Sequence, residues 1–388
     1  MLIKNGNVFT DGRFVKTDIL LNNSVIRELG DIKNDDEPVL DCEGLKVLPG
    51  LVDIHTHGRM GHSFNSADKV QNALMFSDYA HCGVTTVLAT VMTDDKSTML
   101  RACEELKGFA GDPSCGCRGI NLEGPFLSVK KRGAHMPQYL TKPFTALFDE
   151  LNAASGGHIR LVTLAPEEEG AEELIRYLCG KPVANDGRAC AGKTGERVHV
   201  SLGHSACGHD TAAAAFEAGA DHVTHAFNAM EGITARMPGI IPAAVDARAY
   251  IELICDGVHV APSLLRLMMK AEPDRIVLIS DSIAPAGMCD GCYVSGGCTV
   301  RKEGTRITTQ DGTIAGSAIS LFEGLRRCIF DFSIDEVQAI TAATYNPAAS
   351  VGLQDRAGSI ARGRGADLVI VDRDYEIVHV IKGGQILF

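Results

Sequence analysis

The sequence predicts an α/β protein in which a TIM-type (β/α)8 barrel is joined to a small, discontinuous β-sandwich domain formed by both chain ends. Three observations carry this expectation. Eight apolar, strand-like runs recur through the middle of the chain, many of the intervals between them read as helices, and both termini show short strand–turn patterns of a different rhythm. Eight buried strands alternating with helices point to a barrel rather than an open sheet.

At the N-terminus, Leu2-Ile3, Val8-Phe9, Ile19-Leu20-Leu21 and Val25-Ile26 are separated by Asn-Gly, Asp-Gly and Asn-Asn, which suit tight turns. Residues 366–372 and 377–380 read the same way at the other end, with Gly383-Gly384 as a turn. Residues 1–49 and 359–388 are therefore assigned to the small β domain and residues 50–358 to the barrel. Barrel strands are expected at 51–55, 84–90, 119–122, 159–164, 198–202, 222–225, 251–255 and 276–280. Helices are expected at 67–81, 97–109, 168–179, 211–218 and 262–270. No internal repeat is visible.

Composition narrows the function. Lys plus Arg number 37 against 49 Asp plus Glu, a net charge of −12, which argues against a nucleic-acid partner needing a basic face. A small anionic substrate is still compatible, since a pocket can be locally positive. No run approaches the length of an apolar membrane span, and the N-terminus turns polar after three residues, so a cytoplasmic location without membrane contact is expected. The 13 cysteines are odd in number in a long chain without an export signal, so reduced thiols are expected.

In such barrels the chemistry sits just beyond the strand C-termini. There the sequence places His55-Thr56-His57, Glu123, His204, His225 and Asp281. Side chains two apart on a strand share a face, so His55 and His57 can reach one point. Imidazoles and carboxylates converging on one mouth form the donor set of a divalent transition metal. Taken singly, each has an ordinary reading: Asp281 as a helix cap, Glu123 as a partner of Lys130 or Arg132. Four His and two carboxylates at five of eight strand ends are hard to obtain that way.

The longer strings add to this. Pro49-Gly50-Leu51-Val52-Asp53 leads into the His pair; Leu122-Glu123-Gly124-Pro125-Phe126 is followed by Lys131-Arg132-Gly133-Ala134-His135. Gly203-His204-Ser205, Thr224-His225-Ala226-Phe227-Asn228-Ala229-Met230, Asp256-Gly257-Val258-His259-Val260 and Ala315-Gly316-Ser317 complete the set. The chain resembles the N-acetylglucosamine-6-phosphate deacetylase family of the amidohydrolase superfamily over nearly its whole length. The resemblance implies that Glu123, His204 and His225 are the principal metal ligands, with His55 and His57 able to hold a second ion. It makes Asp281 the catalytic carboxylate and His135 the contact to the substrate carbonyl. Asn228, Ala229, Arg236 and His259 match positions that hold the sugar phosphate, and a homodimer is implied because a cationic group can come from the neighbouring subunit.

The implied cofactor is one or two divalent ions, zinc or iron foremost, and the implied partner a small amino-sugar phosphate. The motifs leave the galactosamine epimer open as substrate. More distant alternatives are a cyclic-amide hydrolase and a non-catalytic sugar-phosphate-binding protein, although neither Asp281 nor a ligand position is lost. His62 has no assigned role. Cys289, Cys292 and Cys298 form a Cys-x-x-Cys-x5-Cys run in a Gly-rich segment; reduced loop thiols are favoured over a separate zinc site, because no fourth ligand follows.

Overall fold

The computed structural model describes residues 1–33, 37–112, 114–180 and 197–388. Its centre is a parallel sheet of eight strands, each hydrogen-bonded to the next in chain order. They are β1 (Leu51–Thr56), β2 (Val84–Met92), β3 (Cys117–Glu123), β4 (Ile159–Leu164), β5 (His199–Leu202), β6 (His222–Val223), β7 (Tyr250–Ile254) and β8 (Ile276–Ile279). Every residue of β1, β2 and β8 is buried. This is why these strands read as unbroken apolar runs: helices cover one face and the barrel interior the other. Seven crossovers each carry a helix, from Lys69–His81 after β1 to Pro262–Ala271 before β8. Asp68 and Asp95 cap the first two of these helices by accepting backbone N–H groups of their first turns, which sets their start points. Among the described residues, no helix is long and apolar enough to cross a membrane.

The sheet closes on itself just past the end of β8. The Asp281 N–H donates to the His55 carbonyl (2.9 Å) and the His57 N–H to the Ser282 carbonyl (2.8 Å). Buried Asp53 on β1 ties the same seam, accepting from the Ser280 hydroxyl (2.5 Å), the Ser280 N–H (3.3 Å) and the His55 N–H (3.2 Å).

Strands from both chain ends interleave in the small domain. Leu368–Val371 pairs antiparallel with Lys46–Pro49, which lies parallel to Asn7–Thr10 in a six-stranded sheet. A four-stranded sheet contains Leu2–Lys4 and Asp18–Asn22. Ile3, Ile19 and Ile26 from this sheet share one apolar core with Val8, Val47, Leu368 and Ile370 from the other.

Two elements differ from the expectation. β6 leaves the ladder after Val223 instead of continuing to His225. Thr224 bonds the Ser201 and Thr163 hydroxyls, and the His225 N–H goes to the Glu252 carboxylate (3.1 Å), a side chain of β7, rather than to a backbone carbonyl. The Gly-rich segment after β8 is not a loop but a three-stranded antiparallel sheet, Gly291–Ser295, Cys298–Glu303 and Arg306–Thr309. Val300 and Ile307 supply its buried side, packing with Ile283 and Ala315.

Burial pushes the Asp53 carboxyl up to about 6, so its charge is held at a cost while its oxygens serve three donors. Asp53→Ala leaves those donors buried without an acceptor and should destabilise the protein by about 2–3 kcal/mol. Asp53→Asn keeps an acceptor oxygen and removes the charge, and should cost distinctly less. Urea unfolding of both variants at neutral pH checks this; equal losses would remove Asp53 from the account of the seam.

Candidate metal centre and active site

The site is built at the C-terminal ends of the strands. His55 and Glu123 lie at the ends of β1 and β3; His57, His204, His225 and Asp281 follow β1, β5, β6 and β8 by one to two residues. His204, His225 and Asp281 have φ of 47°, 27° and 48°, the left-handed region, where each non-glycine residue stores roughly 1–3 kcal/mol of strain. These turns break the strand direction and swing three side chains over the barrel mouth. Gly133 (φ 55°) brings the loop that bears His135 against the His204 ring, where an added Cβ would stand 3.1 Å from its Cε1.

Glu123 is the hub. Its Oε1 lies 3.2 Å from His204 Nε2, 3.0 Å from His225 Nε2 and 3.4 Å from His55 Nε2. Its Oε2 lies 3.2 Å from His57 Nε2 and 3.1 Å from His135 Nε2. Asp281 Oδ1 is 3.3 Å from His57 Nε2 and 3.7 Å from His55 Nε2. The structure thus brings together all seven residues to which sequence assigned metal binding or catalysis.

Two outer groups orient the rings. His204 Nδ1 donates to the Lys131 carbonyl (2.9 Å), so in the neutral ring Nε2 carries the lone pair and faces inward. His55 Nδ1 is 2.9 Å from Glu252 Oε2, and that same oxygen accepts the His225 N–H. Glu252, on β7 and fully buried, escaped the sequence reading. Its signal was present: one acid inside the apolar run Ile251-Glu252-Leu253-Ile254 of a barrel strand.

The donor set fits a divalent cation. His204 Nε2 and His225 Nε2 stand 3.0 Å apart, both against a Glu123 oxygen, and His55 Nε2 is buried with no hydrogen-bond partner among the described residues. Lone pairs and carboxylate oxygens crowded in this way repel unless a positive charge lies between them. Within this cluster, among the described residues, two groups have ligand atoms close enough to share an ion: His55, His57 and Asp281, and Glu123, His135 and His204. Because the two oxygens of Glu123 face different histidines, it can serve two positions. Burial alone would lower the His57 pKa, but Asp281 and Glu123 hold it up at about 9. Burial would raise Asp281, yet the His57 hydrogen bond and the neighbouring imidazoles bring it down to about 2, so it is ionised at neutral pH. For His135 burial wins over Glu123 and pushes the ring down to about 4, leaving it neutral.

Above the cluster lies a cavity of about 380 Å³. Asn228, Ala229 and His259 line it together with the cluster residues. His259 Nδ1 donates to Asp256 (2.7 Å), a bond that outweighs burial and raises its pKa. Arg236 is not part of the lining; it sits on the exposed segment 231–237 between Ile233 (51% exposed) and Met237 (72% exposed). Lys131, to which sequence gave no role, lines the cavity and pairs with Glu231 (2.9 Å). His62 pairs with Arg59 in a short two-stranded turn outside the cavity lining. Cys292 and Cys298 on the three-stranded sheet, and Cys289 just before it, are free thiols, and among the described residues they form no group able to share an ion.

Comparison with known proteins gives the family and relatives of the same fold. Residues 46–387 match the model of the amidohydrolase family. An N-acetylglucosamine-6-phosphate deacetylase of Bacillus subtilis is 35% identical over 88% of this chain and 84% of its own length. An N-acetylgalactosamine-6-phosphate deacetylase of Escherichia coli O157:H7 is 34% identical over 88% and 87%. Among solved structures, a mutant N-acetyl-D-glucosamine-6-phosphate deacetylase from Mycobacterium smegmatis, in complex with N-acetyl-D-glucosamine-6-phosphate, superposes with a TM-score of 0.88 at 30% identity, covering 100% of this chain and 98% of that one. The chain belongs to the amidohydrolase family.

Proposed function

We propose that this protein hydrolyses the acetamide of N-acetylglucosamine 6-phosphate to glucosamine 6-phosphate and acetate. The observation that carries the reading is the convergence of Glu123, four histidines and ionised Asp281 on the floor of a cavity whose wall bears His259, held by Asp256. Glu123, His204 and His225 would hold one divalent ion, and His55 and His57, with Glu123 shared, a second; zinc and iron both suit imidazole and carboxylate donors. A metal held there supplies Lewis-acid activation of water and of the scissile carbonyl.

The chain's own residues do the remainder. Asp281 accepts the proton of the attacking water and returns it to the departing amine. Neutral His135 offers an N–H to the carbonyl oxygen as negative charge develops on it. Asn228, Ala229, His259 and Lys131 surround the rest of the cavity, where the sugar and its phosphate would be held. That remote binding positions the acetamide for attack.

Arg236 enters this reading through a homodimer. It is exposed between two exposed apolar side chains, Ile233 and Met237, which a second subunit would cover while Arg236 reached that subunit's phosphate. The galacto epimer is the second reading, favoured by the 34% identity to the Escherichia coli protein.

Acetate release by the metal-replete protein is the direct test, with N-acetylglucosamine 6-phosphate, its galactosamine epimer and unphosphorylated N-acetylglucosamine in parallel. The first should be preferred. Preference for the epimer keeps the mechanism and changes the substrate, whereas no acetate from any of the three refutes the proposal. Asp281→Asn should retain metal, measured by elemental analysis, and lose at least about a hundredfold in kcat, the scale of a general acid–base contribution. Near-normal turnover in that variant takes the proton transfers away from Asp281. Glu252→Gln should weaken metal retention about 10–100-fold in competition with a chelator, because His55 loses its anionic support. Unaltered retention would make Glu252 a passenger in the barrel core.

A further inference from the structure

A second cavity, of about 680 Å³, opens at the other end of the barrel from the metal cluster. Tyr250, the first residue of β7, and Arg275, directly before β8, form its barrel side. Asp11, at the tip of the hairpin joining Asn7–Thr10 to Arg13–Lys16, and Ser359 and Arg364, on the chain returning to the small domain, form the facing side. Three guanidinium groups, those of Arg248, Arg275 and Arg364, meet only two carboxylates there, Asp11 and Asp274. Two more carboxylates, Asp355 and Glu272, pair with Arg364 and Arg248 from outside the lining, so the cleft concentrates guanidinium donors without a net positive charge.

Arg275 carries the argument furthest. Its guanidinium lies 4.6 Å over the Tyr250 ring, which fixes its plane, yet its Nε is buried and has no hydrogen-bond partner among the described residues. A buried N–H left without an acceptor is unfavourable, and a ligand oxygen would satisfy it. The other two arginines have solvent-exposed partnerships, which are worth little and which a phosphate can replace. Arg364 pairs with the exposed Asp355 (2.7 Å), and Arg248, itself 58% exposed, stands 3.6 Å from Glu272. Guanidinium forks match the oxygens of a phosphate better than any other side chain.

We propose that this cleft is a binding site for a small phosphorylated metabolite, whose phosphate is taken by Arg275 together with Arg248 and Arg364. The site is distinct from the cavity over the metal cluster and shares no lining residue with it.

Equilibrium dialysis of the metal-replete protein against radiolabelled inorganic phosphate tests the assignment. Saturable binding with a Kd of about 1 mM or tighter is expected. It should persist in His259→Gln, which removes an imidazole from the wall of the catalytic cavity, and weaken at least about tenfold in Arg275→Gln and in Ser359→Glu. Ser359→Glu sets a carboxylate at the cleft rim without removing a buried group, so it decides the matter if Arg275→Gln fails to fold by thermal unfolding. No saturable binding in the wild type, or binding that Ser359→Glu leaves unchanged, overturns the proposal. So does binding that His259→Gln abolishes.

Discussion

Closing an eight-stranded sheet requires the last strand to find the first, and here the closing bonds fall on the residues of the site itself. The Asp281 N–H reaches the His55 carbonyl and the His57 N–H reaches the Ser282 carbonyl. The bonds that shut the barrel therefore also fix the 3.3 Å between Asp281 Oδ1 and His57 Nε2. Asp53, one layer deeper, draws Ser280 and His55 onto one carboxylate. Barrel closure and active-site geometry are one constraint, so neither can relax without the other.

The cluster above this seam is an arrangement that folding alone would not favour. Three residues hold left-handed backbone, and imidazole lone pairs crowd carboxylate oxygens in a buried space. Such features persist where surrounding structure over-determines them. Here the surroundings are specific: the Lys131 carbonyl holds the His204 ring, and Glu252 holds both the His55 ring and the His225 backbone. A single buried carboxylate on β7 thus links two strands' worth of ligands, which is how these barrels keep several chain segments in register at one point.

Much of the barrel was legible because its strands are buried on both faces and carry unbroken apolar runs. β1, β4 and β8 fall within a residue of their expected limits. β6 was overextended because Thr224 and His225 have strand-like sequence but spend polar groups on side chains of the two adjacent strands, Ser201 and Glu252. The sheet between Gly291 and Thr309 was misread as a loop because its outer face is solvated, so Gly and polar residues dominate and only Val300 and Ile307 mark the inner face. Glu252 was missed for the opposite reason: strand periodicity directs attention to apolar residues, and a lone acid within them reads as an interruption.

By itself the sequence determined the number of barrel strands, the residues at their C-terminal ends and the donor chemistry those residues bring, since burial and side-chain type are local properties of the chain. Tertiary structure alone decided which ring nitrogens face inward, that Glu123 presents one oxygen to each side of the cluster, and that Lys131 lies in the cavity while Arg236 lies outside it. These depend on loops from separate crossovers meeting over the barrel mouth. No spacing within one segment encodes a distance to a side chain carried by another.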